Sequence, residues 1–126
     1  MSDLQQLVLT YFRGVDEQKI DMILGTLASN CVFSVETHGV TLNGHEEIRG
    51  MFDRLWSHHA AVRHDQFHFV DAGNGADIAV RFRVTNTLHD GSLVHKSNCN
   101  FFTAAGDTFT AVRVYMAGKN TLDRQM

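Results

Sequence analysis

Tyr11, Asp16 and His64 are three proton-handling side chains whose types suit acid–base chemistry at carbon. A phenol can donate a hydrogen bond to a developing enolate oxygen, and an imidazole can take and return a proton near neutral pH. A carboxylate beside that imidazole would hold one tautomer and stabilise the cation that forms. Each residue also has a purely structural reading. Tyr11 falls on an apolar helical stripe and could be core with its hydroxyl satisfied, and Asp16 stands where it could accept hydrogen bonds from the first amides of a following helix.

The remaining chemistry-bearing residues point away from metal and redox work. His58 and His59 could be grouped with His64 and His68, yet no carboxylate or cysteine spacing accompanies them, and solvated loop histidines are the plainer reading. His38 and His95 sit on strand patterns whose parity alone does not choose a face. Cys31 and Cys99 lie far apart and read as reduced thiols. The expectation is therefore no metal and no cofactor.

The elements that would position the three groups follow from periodicity. Leu4, Leu7, Val8, Tyr11, Phe12 and Val15 recur at helical steps, and Ile20, Ile23, Leu24 and Leu27 continue with a second helical pattern. Residues 31–37 and 40–42 predict a small hairpin around His38-Gly39. Asn43 with Glu46 reads as a capping pair for a third helix carrying Ile48, Met51, Phe52 and Leu55 and reaching about Trp56. Beyond it the period is two: strands over 66–71, 77–88, 93–104 and 108–116 are separated by glycine-bearing turns, which predicts a consecutive antiparallel meander. Residues 117–126 read as a polar tail.

Strand parity sets a specific condition on His64. In an unbroken strand it would share a face with Gln66, His68 and Val70, opposite Phe67 and Phe69. If those two rings face the helices, His64 reaches the same side only through a bulge between Arg63 and Gln66; otherwise the Phe pair lies on the outer face.

The class that results is α+β: one domain over residues 1–126, with a curved, mainly antiparallel sheet wrapped over three N-terminal helices and a pocket between the layers. A net charge of −3 with scattered Lys and Arg gives no stripe for nucleic acid, and no run approaches the roughly 18 apolar residues of a membrane span. Met1-Ser2-Asp3 does not open a secretory signal, so the expected location is cytoplasmic. Arg81, Arg83 and Thr85 alternate with Ile78, Val80, Phe82 and Val84, leaving an outer sheet face through which a homodimer is expected.

With this element order, the Val15-Asp16 junction, Ala28-Ser29-Asn30 before the first strand, Gly44 opening the third helix and Tyr115 in the last strand, the chain resembles the nuclear transport factor two-like superfamily. Within it the likeness is to the SnoaL-like group, which includes polyketide cyclases, scytalone dehydratase, ketosteroid isomerase and bile-acid dehydratases. The resemblance implies a cone-shaped, cystatin-like roll holding a small hydrophobic ligand. Tyr11 matches the oxyanion-hole tyrosine of ketosteroid isomerase, but Val35 replaces that enzyme's catalytic aspartate and Asn100 stands near its second acid, so steroid isomerisation is not implied. The dehydratase pattern of Tyr, Asp five residues on, and His opening the third strand matches Tyr11, Asp16 and His64, with Asn98 resembling a pocket asparagine.

The resemblance thus implies a cofactor-free lyase of dehydratase type, acting on a small apolar hydroxy-carbonyl compound with Tyr11, Asp16 and His64 as catalytic residues. Asn86, His89, Asn98, Asn100, Phe33, Val35, Phe52 and Trp56 are the expected substrate-facing set. Two other uses of the scaffold stand beside it: a SnoaL-like cyclase or isomerase, and a non-enzymatic ligand-binding or dimerisation module.

Overall fold

Helix α1 (Asp3–Asp16) forms because Ser2 caps it, its hydroxyl accepting from the Gln5 amide at 3.2 Å, and because Leu4, Val8, Tyr11, Phe12 and Val15 fall on one buried face. The computed structural model describes residues 2–117. After α1 the chain turns through Gln18 at φ 58° and enters α2 (Ile20–Leu24). The two helices cross at Gly14, where a Cβ would meet Ile23 Cγ1 at 2.8 Å, so only glycine allows this approach.

Helix α2 is shorter than its apolar pattern suggests, because Leu27 has joined the sheet. Strand β1 (Leu27–Val35) begins there, pairing in parallel with the last strand, and the Thr26 carbonyl accepts from the Phe109 amide at 2.8 Å. A 3-10 turn over Glu36–His38 leads to β2 (Val40–Asn43), completing the expected hairpin. Helix α3 (Gly44–His58) runs two residues past Trp56. The Asn43 amide is met by the Glu47 carboxylate at 2.7 Å, while the Asn43 side chain makes no cap bond, so the reach-back comes from Glu47 and not from Glu46.

Strands β3 (Ala61–Asp71), β4 (Asp77–Thr87), β5 (Leu93–Ala105) and β6 (Thr108–Tyr115) form the antiparallel meander. The six-stranded sheet has the order β2-β1-β6-β5-β4-β3, mixed only at the parallel β1–β6 pair. Its inner face carries Ile78, Val80 and Phe82 from β4, Phe102 from β5 and Val112 from β6 against the helices. No helix among the described residues is long and apolar enough to cross a membrane. The tail read over residues 117–126 lies outside the described residues beyond Ala117.

Strand β3 starts five residues before the alternating pattern suggested, because a bulge breaks the alternation. Asp65 pairs with Arg83 and His68 with Arg81, so Gln66 and Phe67 together oppose Phe82. Gln66 sits in left-handed backbone at φ 56°. The extra residue resets parity, and His64, Phe67 and Phe69 all turn to the helix side, as the ring contacts of Phe12 with His64 and Phe67 show.

Left-handed backbone is tolerable for glutamine, effortless for glycine and poor for a β-branched side chain. Denaturant titration of Gln66→Gly should therefore give stability within about 0.5 kcal/mol of the parent, whereas Gln66→Ile should lose about 1–2 kcal/mol. Equal costs for the two would mean that the bulge does not hold its conformation in solution.

Candidate active site

The bulge delivers His64 to the end of α1. The Asp16 carboxylate grips it twice: Oδ2 accepts from the His64 backbone amide at 2.9 Å, and Oδ1 accepts from the ring Nδ1 at 2.5 Å. Asp16 is therefore not a helix cap. Lys19 precedes α2 and makes no side-chain cap, because α1 continues through Asp16 and turns its carboxylate toward β3. The His64 side chain is 11% exposed, with its ring against Phe12 and Phe82 at centroid distances of 4.8 and 5.5 Å. With Nδ1–H committed to Asp16, Nε2 is left as the nitrogen that can accept a proton.

Two hollows meet at His64. An inner cavity of about 60 Å³ lies between the sheet and the helices and is lined by Tyr11, His64, Asn86, Asn98 and Asn100, together with Phe33, Phe52 and other apolar groups. An outer cleft of about 290 Å³ is bordered by Leu9, Arg13, Asp16, Glu17 and Phe67. Phe12 and His64 border both.

Tyr11 is buried edge-on to Phe12, Phe52 and Phe102. Burial pushes its phenol far above the ordinary tyrosine range, with the Cys31 thiol and Asp16 carboxylate adding to the effect. It stays protonated and is a donor, never a base. Burial likewise pushes the Cys31 thiol up to about 11, which leaves it an inert core thiol.

Three expected substrate-facing residues do not line the cavity. Val35 is buried in the core at the end of β1 without reaching the hollow. Trp56 donates its indole N–H to the Val15 carbonyl at 3.0 Å and stacks on Phe52, so it braces the end of α1 beside Asp16 from behind the cavity wall. His89 lies past the end of β4, exposed, bonded through Nε2 to the Ser57 carbonyl at 2.7 Å. Asn98 lines the cavity and also accepts from the Ala117 amide at 3.1 Å.

Two inward groups escaped sequence reasoning. Lys96 is 7% exposed and lines the cavity, and burial pulls its ammonium below the usual lysine range. Its parity with Asn98, Asn100 and Phe102 was a usable signal. His59, 1% exposed, donates from Nδ1 to the Leu55 carbonyl at 2.7 Å while its Nε2 has no partner. Among the described residues no three His, Cys, Asp or Glu side chains gather as a metal site requires; His38, His68 and His95 are exposed.

His59 supplies a stability prediction. Desolvation lowers its pKa, opposed by the bond to Leu55 and reinforced by Lys96. The folded chain takes up this proton only at lower pH than the unfolded chain, which protonates the ring below about pH 6.5, so just below that pH the unfolded state binds more protons and stability falls with acidification. Denaturation midpoints between about pH 5.5 and 7.5 should rise with pH more steeply in the parent than in His59→Gln. Identical slopes would remove His59 from the titration.

The profile of the SnoaL-like domain matches residues 8–117. A search of curated protein sequences returns no match. Among solved structures, a protein from Xanthomonas campestris pv. campestris provisionally named a polyketide cyclase superposes with a TM-score of 0.83 at 16% identity, covering 90% of this chain and 89% of the other. A protein from Catenulispora acidiphila with a ketosteroid isomerase-like fold, solved with trimethylamine, gives 0.77 at 14% identity over 86% and 83%. SalBIII, described as an epoxide hydrolase/cyclase-like enzyme in pyran ring formation in the polyether salinomycin, gives 0.78 at 21% identity over 90% and 89%. At these identities the likeness is one of fold.

Proposed function

Because the chain belongs to the SnoaL-like family, we propose that its cavity performs cofactor-free general acid–base chemistry on a small, largely apolar carbonyl compound. The observation that carries this reading is the double contact of Asp16 with His64 at a cavity that also holds the Tyr11 phenol. Nε2 of His64 takes the proton from the carbon next to the carbonyl, and the electron pair moves onto the carbonyl oxygen. Tyr11 donates a hydrogen bond to that enolate. Asp16 stabilises the imidazolium while it exists.

In the dehydratase form of this reading, the enolate collapses and expels a β-hydroxyl, which leaves as water with the proton held on Nε2. Charge and atoms then return to the starting state of the protein. A second form is favoured by the polyketide cyclase and epoxide hydrolase/cyclase-like names of the structural neighbours: the enolate carbon, or a deprotonated hydroxyl, closes a ring. The two are separated by incubating the protein with β-hydroxy carbonyl compounds and weighing the products. Loss of water supports elimination, unchanged mass with a new ring or a moved double bond supports cyclisation or isomerisation, and no turnover of any of them would remove the enzymatic reading.

Two copies would meet through the outer sheet face. There Phe101 and Tyr115 stand 47% and 41% exposed, with ring centroids 5.7 Å apart, an aromatic surface of the kind that interfaces enrich.

A further inference from the structure

Cross-strand partners share a face of a sheet, and two successive pairings place Lys96 in the same inward row as His64. His64 pairs with Val84 on β4, and Val84 pairs with Lys96 on β5. Two strand spacings separate the two backbones by roughly 10 Å, and both side chains line the one cavity. A planar ligand lying across β4 would touch the imidazole at one edge and the amine at the other.

The cavity also presents acceptors that nothing in the protein satisfies. The Oδ1 atoms of Asn86 and Asn100, both residues 2% exposed, are buried without a hydrogen-bond partner. Asn86 lies two residues along β4 from Val84, diagonal to Lys96. Buried orphan acceptors cost free energy unless a donor reaches them, and both asparagines line the hollow a ligand would fill.

Resting on the acid–base reading of this cavity, we propose that Lys96 is its anion-binding residue. The ligand is then a planar apolar compound bearing an ionised oxygen, as carboxylate, enolate or phenolate, together with a hydroxyl that donates to Asn86 or Asn100. An ammonium carries three N–H donors, so a ligand oxygen joins Lys96 alongside the contacts it makes within the protein. The mostly apolar walls of the cavity lower the local dielectric and strengthen attraction to an added anion. Burial has already pulled the Lys96 ammonium below its usual range, and an ionised ligand would restore it.

The test is calorimetric titration of the full chain with 4-hydroxybenzoate, its neutral carboxamide, and benzoate, single-ring compounds scaled to the cavity of about 60 Å³. The acid should bind at least about tenfold more tightly than the amide, and loss of the hydroxyl should weaken binding about fivefold. Lys96→Met should erase the preference for the acid, Lys96→Arg should retain part of it, and His64→Ala, which removes the contact at the opposite edge of the ligand, should weaken acid and amide alike. That last arm separates this proposal from the catalytic one: His64→Ala tests turnover, whereas the acid-to-amide ratio reads Lys96. Equal affinity of acid and amide in the parent chain, binding of neither, or a preference that survives Lys96→Met would overturn the assignment. The first two outcomes are decisive even where the Lys96 variants fold poorly.

Discussion

His64→Ala should lower the rate of the acid–base step by about a hundred- to ten-thousandfold, equivalent to roughly 3–5 kcal/mol of barrier, while the protein remains folded. The fold survives because the bond to Asp16 Oδ2 is donated by the backbone amide of residue 64, which alanine retains. The lost ring makes two aromatic contacts and the bond to Asp16 Oδ1, and the Asp16 side chain, 25% exposed, is open to water once the ring is gone, so the stability cost stays below the kinetic one. Single-turnover kinetics on a β-hydroxy carbonyl substrate, with a thermal melt of the same sample, check both halves. Turnover within tenfold of the parent would show that another group takes the proton. A substitution at Asp16 is a less clean probe, because it removes the backbone and the ring contact together.

The largest stability effect is expected at Phe12. Its ring packs on Tyr11, His64, Phe67 and Phe82 at centroid distances of 5.0, 4.8, 5.2 and 4.7 Å, and the residue is fully buried. Phe12→Ala should cost about 3–5 kcal/mol, the sum of lost apolar transfer and an uncollapsed void. Because Phe12 borders both the inner cavity and the outer cleft, the same substitution should join them and let water reach the Tyr11 hydroxyl. Phe12→Leu should cost well under half as much. Urea titration measures the difference, and a loss below about 1 kcal/mol for Phe12→Ala would mean that the site collapses around the gap.

The helices and the meander were legible because their signals are local. Leu4, Val8, Tyr11, Phe12 and Val15 repeat at helical steps, and the turns over 72–75, 89–91 and 105–107 pair strands that follow one another. The α2 boundary was not legible, because Leu27 obeys a tertiary pairing with Phe109 and not the helical period of its neighbours. The joining of Asp16 to His64 came from resemblance, since no local pattern links residues 48 positions apart.

Parity framed the His64 question correctly but could not answer it. What decides is one backbone angle at Gln66, which leaves no mark in hydrophobic periodicity. Lys96 was passed over for a different reason. Strand alternation puts it on the face of Asn98 and Asn100, but the ordinary expectation for lysine is solvent, and here the residue is buried. Trp56 and His89 went the other way: both have the right chemistry for a pocket, and both are spent on backbone carbonyls of neighbouring elements.

The bulge in β3 makes the number of residues in that strand a functional variable in its own right. Removing one residue between Asp65 and His68 would let the ladder with β4 close without interruption, and every side chain on one flank of the deletion would exchange inside for outside. A relative one residue shorter there could keep every residue named in this site and still present its imidazole to water. In comparing members of this fold, the count along that strand carries information that matching residue identities does not.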